Sequence, residues 1–298
     1  MEHKLPSYGG QAVIEGVLMR GRSNVAMATR SPDHEIVVFK EKLGGIYTSP
    51  VAKIPFLRGL IVLWDSLGLG MRYLTISANV QTGEEEELSG PMLYITLAVS
   101  LLLGIGLFFL LPALVSGLIA RFAPLSTWGS NLIEGGLRLV MLVGYLWLIG
   151  KMPDIKRVFM YHGAEHKTIN AFEGGANLTP EEVDKFTVEH PRCGTSFILT
   201  LVLLSIVIFS LFGPLPLHWR LLSRLLMVPV LAGISYEYIR LLSKILDTRF
   251  GQLISKPNLA LQRLTTRKPT RDMLEVAIRA FVEMKAMEDE GELPAPSE

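Results

Sequence analysis

"PMLYITLAVSLLLGIGLFFLLPALVSGLIAR", residues 91–121, carries no charged residue before its last position. A bilayer's hydrocarbon core is crossed by about 20 apolar residues in a helix, so this stretch reads as a transmembrane span. Three more follow. Asn131–Ile149 is closed by Lys151 and Pro153, Phe197–Leu217 is uncharged, and Leu221–Leu242 carries Glu237 and Arg240 near its C-terminal end. Inside the second span Glu134 and Arg138 stand four apart, the spacing of an ion pair on one helical face near a membrane edge. The fold class is thus a mainly α-helical polytopic membrane protein with four transmembrane helices.

Composition agrees. Of 298 residues 49% are apolar and 19% charged, against about 25% charged in a soluble domain, and the mean hydropathy is +0.37. The net charge of +1 gives no general argument for a nucleic-acid partner. The lone cysteine, Cys193, excludes an intramolecular disulfide and leaves its thiol for a metal. "MEHKLPSYGG" lacks the apolar core of a signal peptide.

Lys and Arg set the expected orientation. Lys151, Lys156, Arg157, Lys167, Lys185 and Arg192 crowd the segment between spans two and three, whereas the other two connections offer Arg121, Arg220 and Arg224. Positive-inside bias places both termini and residues 151–196 in the cytosol of a cell (inner) membrane.

Outside the spans, Val25–Arg30 and Glu35–Glu41 alternate around the turn former "SPDH" and read as a β-hairpin. In the apolar stretch Pro55–Val80, Arg58, Asp65 and Arg72 recur every seven residues, which predicts an amphipathic helix lying in the membrane interface. "QTGEEEELSG" is a solvated acidic linker. Thr270 stands where it can cap a helix whose Leu274, Ile278, Phe281 and Met284 share a side, and "GELPAPSE" is a frayed tail. The organisation is a β-rich N-terminal cytosolic region (1–54), an interfacial helix (55–80), an acidic linker (81–90), a membrane domain (91–250) containing the cytosolic His/Cys loop 151–196, and a C-terminal cytosolic helix with its tail (251–298).

That loop carries the chemistry. Asp154–Glu173 reads as a helix stopped by Gly174 and Gly175, and it brings His162, Glu165 and His166 to one face. H-x-x-E-H is the inverse of the zinc-peptidase H-E-x-x-H, in which two histidines bind zinc and the glutamate acts as base. "TPEE", 179–182, is a capping box with proline at the first helical position, opening a short helix that ends at "EHPRCGTSF". There His190 and Cys193 have the spacing of paired ligands in small zinc sites. The expected ligands are therefore His162, His166, His190 and Cys193, with Glu165 as catalytic base. Imidazole and thiolate favour zinc, with another divalent transition metal such as iron or manganese if carboxylates complete the shell. Glu237 either pairs with Arg240 or a lipid headgroup, or reaches this cluster.

Five stretches, "GGQAVIEGVLMRG" (9–21), "HGAEHK" (162–167), "HPRCGTSF" (190–197), "SYEY" (235–238) and "LQRLTTRKPTRDMLEVAI" (261–278), resemble the DUF1385 family of bacterial membrane proteins. The resemblance implies a metal-dependent membrane protein with no established substrate. It supports His162, Glu165, His166, His190 and Cys193 and draws in Glu15 and Glu237. Glu15 lies among Val13, Ile14, Val17 and Leu18, with Gly16 allowing a bulge; a carboxylate in such an apolar strand needs a partner, either Arg20 or the metal loop.

Two function classes follow. One is a membrane-embedded, metal-dependent hydrolase acting at the cytosolic face on a lipid, peptide or other amphiphile. The other is a non-catalytic scaffold, assembly factor or carrier whose metal ties the loop down. The expected partners are the lipid bilayer and an amphiphilic substrate or membrane protein. Transport is disfavoured because few charged residues, Glu134, Arg138 and Glu237 among them, lie inside spans.

Overall fold

The computed structural model describes residues 8–44, 54–83, 90–123, 125–246 and 248–292. The glutamates of the acidic linker and residues 293–298 of the expected tail lie outside them.

The uncharged stretch that opens the membrane domain forms helix α2 (Gly90–Ile105), one π turn (Gly106–Leu110) and helix α3 (Leu111–Phe122) in continuous succession. The π turn has a local cause. Pro112 has no N–H and its ring crowds the carbonyl four residues back, so the ladder widens here and Leu111 N–H bonds Gly106 O instead. The Phe108 carbonyl this releases is taken by Arg138 Nε, at 2.8 Å.

Three helices are long and apolar enough to cross a membrane, as in a multi-pass membrane protein: Tyr94–Phe122, α4 (Thr127–Ile149) and α8 (Leu217–Lys244). The third expected span is shorter than the sequence reading. Helix α7 (Thr195–Ser210) has 16 residues, about 24 Å at 1.5 Å per residue. Residues 212–216 after it are non-helical, because Pro214 and Pro216 cannot continue a helix. Leu142, Leu146, Leu199 and Val202 pack α4 on α7, and Phe109, Phe209 and Leu231 tie the π turn to α7 and α8. Leu102, Leu103, Val140, Val207 and Leu226 remain exposed, as side chains facing lipid would.

The charge in this bundle exceeds the sequence reading. Glu134 pairs with Arg138 as expected, at 2.8 Å, but Arg220 and Arg224 of α8 also reach it, at 2.7 and 2.9 Å. These contacts span some 90 residues of chain, beyond what spacing on one helix can reveal.

The N-terminal region is a four-stranded antiparallel sheet in the order β1 (Gly9–Val13), β2 (Gly16–Arg20), β3 (Asn24–Arg30), β4 (Ile36–Lys42). The predicted hairpin is β3–β4, with Arg30 opposite Ile36. Alternation splits the inner strands between two layers. Val17, Met19, Ala26 and Ala28 face helices α5 (Pro153–Glu173) and α10 (Arg271–Glu292), while Leu18, Val25 and Met27 face Tyr73 of helix α1 (Leu57–Thr82). Burial on both faces is why β2 and β3 are apolar almost throughout. Leu274, Phe281 and Met284 of α10 are fully buried in this core, with Ile278 packed beside them.

The heptad charges of α1 meet protein. Arg58 binds Glu237 and Arg72 binds Glu41 at 2.8 Å. Burial pushes the Asp65 carboxyl up, offset in part by the nearby Arg20. Between α8 and α10 lies helix α9 (Arg249–Thr265), which the sequence reading did not identify and which packs on α4 and α7.

Candidate metal centre

Helix α5 runs one residue longer than read, with Pro153 at its first turn, where a missing N–H costs nothing. Two positive-φ or close-packed glycines shape its surroundings. Gly175, at φ 71, takes the left-handed turn after the helix. Gly163, between the two histidines, has no room for a side chain, since a Cβ there would lie 2.1 Å from Arg267 O. The α9–α10 connector therefore passes directly over the helix.

The loop after α5 is clamped back onto it. Thr179 Oγ1 accepts the N–H of Glu182 at 3.4 Å and caps helix α6 (Pro180–Val183), as its capping box predicts. Lys167 Nζ donates to the carbonyls of Asp184 and Phe186, and Asn170 Nδ2 to those of Thr187 and Glu189. From α9, Gln262 bonds both the N–H and the carbonyl of His190.

This fastening brings together His162, His166 and Cys193, whose ligating atoms all lie within 4.8 Å of one another. The second nitrogen of each ring decides which atom faces the cluster. His162 Nδ1 lies 2.9 Å from Thr265 O and His166 Nδ1 2.6 Å from Val188 O. A carbonyl only accepts, so both Nδ1 atoms carry the proton and both Nε2 atoms present lone pairs. His162 Nε2 faces Cys193 Sγ at 3.2 Å, and His166 Nε2 is buried with no hydrogen-bond partner among the described residues. A buried imidazole lone pair without a donor is what a metal ligand looks like with its outer partner already in place. The set therefore fits a divalent metal.

His190 lies next to this group. Its Nδ1 donates to Asn170 Oδ1 at 2.8 Å, its Nε2 is likewise buried without a partner, and its ring centroid stands 5.6 Å from that of His166. Burial first, then Arg192 and His166, push His190 down to about 3, so it is neutral at pH 7, the form that ligates.

Glu165 is buried beside His162. Burial raises its carboxyl to about 7, with His162 and the Gly10 N–H pulling the other way, and Oε2 has no partner among the described residues. Gly10 has no room for a side chain, because a Cβ on it would lie 2.4 Å from Leu18 O and 3.0 Å from the Glu165 carboxyl carbon.

Glu15 and Glu237 do not belong to the ligating group. Glu15 lies in a two-residue turn, between Val13 and Gly16 of paired strands, at φ 50 rather than in a strand as read. Its partner is not Arg20 but the 151–196 metal loop, the second of the two expected alternatives. Glu15 grips Arg157 through both oxygens at 2.5 Å and accepts from Tyr161 Oη at 3.2 Å, the first more than one turn before His162 on α5 and the second next to it. Arg20 instead donates to Ser66 Oγ at 3.0 Å. Glu237 is bound by Arg58 and the Phe56 N–H, not by Arg240. Residues that the sequence reading missed are Thr265, Gln262, Asn170 and Val188, which orient the histidines; their signal lies in pairings across the chain.

A cavity of about 600 Å³ reaches Cys193 and Gly10 from between α1, α7 and α8.

The five resembling stretches thus converge: strand β1, helix α5, the Cys193 loop, α8 and α9 all border this cavity or its cluster. A family model described as "Protein of unknown function (DUF1385)" matches residues 54–287. The chain belongs to the DUF1385 family. It is similar to "Uncharacterized protein YqhQ" of Bacillus subtilis (strain 168), 36% identical over 303 residues that cover 96% of this chain and 95% of that one. No solved structure matches. The DUF1385 match takes in α5, the Cys193 loop and α9, and so every residue of the His/Cys group and the residues that orient it.

Proposed function

We propose that this DUF1385 protein is a metal-dependent hydrolase, embedded by four spans with both termini cytosolic, that cleaves an amphiphilic substrate at the cytosolic membrane face. One observation carries the reading. Three ligating atoms, His162 Nε2, His166 Nε2 and Cys193 Sγ, converge within 4.8 Å, and three protein ligands leave the open position that catalytic zinc sites keep. A divalent metal held there, zinc by its ligand chemistry, supplies Lewis-acid activation of water and of the scissile carbonyl or phosphoryl group.

The chain's own residues do the rest. Glu165 takes the proton of the attacking water on Oε2, and a carboxyl raised to about 7 is matched to that task near neutral pH. The Gly10 N–H holds its carboxylate in place. The cavity beside Cys193 admits substrate. Its walls join Leu63, Phe197 and Ile239 with Arg20, Arg192 and Arg240, a combination suited to an acyl chain with an anionic head.

Glu165→Gln tests this. It is expected to keep stoichiometric metal and fold yet fail to complement deletion of the gene, since base catalysis is worth about 10²- to 10⁴-fold in rate. Full complementation by a metal-loaded variant would remove the hydrolase reading. It would leave the scaffold, which the unpartnered Nε2 of His190 favours as a fourth ligand closing the shell.

A further inference from the structure

The end of the helical bundle remote from the His/Cys group contains a second polar centre. Glu134 accepts from Arg138, Arg220 and Arg224 together, and Arg138 and Arg224 are essentially inaccessible, at 0% and 1% exposure. Phe109 and Phe209 stack on these guanidiniums at 4.1 to 5.3 Å. Three guanidiniums against one carboxylate leave two positive charges uncompensated among apolar helices. Isolated charge in such surroundings costs several kcal/mol, and aromatic faces supply only part of that.

The excess charge opens onto a cavity. Arg220 and Arg224, with Ser130, Asn131 and the 213–216 turn, line a space of about 400 Å³. Each terminal Nη carries two N–H groups. Nη1 of Arg220 gives one bond to Ser130 Oγ and Nη1 of Arg224 one to Ser223 Oγ, which leaves a further N–H on each among the described residues. Two guanidiniums side by side are the arrangement that binds a tetrahedral oxyanion. From Glu134 to Ile149, where α4 ends below the metal centre, the helix rises about 22 Å, so the cavity is separate from the site proposed above.

We infer that Arg220 and Arg224 form a phosphate-binding site in this cavity, occupied either by a phospholipid headgroup or by free phosphate. The Arg138–Glu134 pair is the fixed base that holds both guanidiniums in position, and the bound anion neutralises the remaining charge.

Full-length protein in lipid-free detergent tests this by thermal unfolding at constant ionic strength. Inorganic phosphate is titrated against chloride, and phosphatidylglycerol against phosphatidylcholine. A rise in Tm with phosphate assigns the site to the free anion; a rise with phosphatidylglycerol alone assigns it to a headgroup. Arg220→Gln leaves Glu134 two arginine partners and is expected to weaken the stabilising ligand by about tenfold, the loss of a charged hydrogen bond. Should that variant not fold, Leu215→Trp reduces the cavity from another part of its lining while keeping all three arginines and must abolish the same shift. The inference fails if neither phosphate nor phosphatidylglycerol stabilises the wild type, or if both variants respond as it does.

Discussion

The two ends of the helical bundle are electrostatic opposites. At the α5 end, the imidazole nitrogens of His166 and His190 sit buried with lone pairs and no donors. At the other end, guanidiniums outnumber the carboxylate they bind three to one. Burial makes both expensive, but the remedy differs in sign: the first is satisfied by a cation, the second by an anion. The polar atoms inside an apolar fold thus specify what each end holds before any ligand is seen.

Removing a ligand at the first end has the largest expected effect. His162→Ala or His166→Ala should abolish stoichiometric metal, measured by elemental analysis of purified protein, because one lost imidazole leaves two ligands of the converging three. If both variants retain full metal, the cation half of the comparison fails.

Next comes Glu134→Gln. It leaves three arginines without their carboxylate, and breaking a buried pair typically costs about 3–5 kcal/mol. A large fall in Tm with metal content unchanged is expected. A neutral effect would mean that the arginines are solvated and the anion half is wrong.

The smallest effect belongs to Glu15→Ala. Arg157 is half exposed, and a pair of that kind contributes about 0–1 kcal/mol. The variant should unfold almost as the wild type does and keep its metal. Loss of metal would show that the β1–β2 turn holds α5 in the position that ligation requires.

Which parts were legible follows from range. Three of the membrane helices, α5, the Thr179 cap and the buried face of α10 rest on hydropathy or on spacing within one helix, and they appear where the residues place them, whereas α7 stops short of the expected span because Pro214 and Pro216 follow it. Helix α9 escaped because Pro257, which in a sequence marks a helix end, lies inside it, and because its composition is mixed. The β1–β2 hairpin escaped because Ile14–Glu15 turns the chain without the Gly or Asn that marks a positive φ. In the site, the H-x-x-E-H spacing put His162, Glu165 and His166 on one face. The three-dimensional loop then brought Cys193 into contact and set His190 slightly apart. Arg58 with Glu237, and Arg220 and Arg224 with Glu134, join residues about 90 to 180 positions apart, and no local pattern announces such pairs.

The central claim is that His162, His166 and Cys193 hold one metal with a position left open. X-ray absorption spectroscopy at the metal edge of the purified protein tests it most directly. One sulfur at about 2.3 Å, two imidazole nitrogens at about 2.0–2.1 Å and one further oxygen are predicted. A shell of one sulfur and three imidazoles would bring in His190 and close the site, contradicting the catalytic reading, and a shell without sulfur would contradict the centre itself.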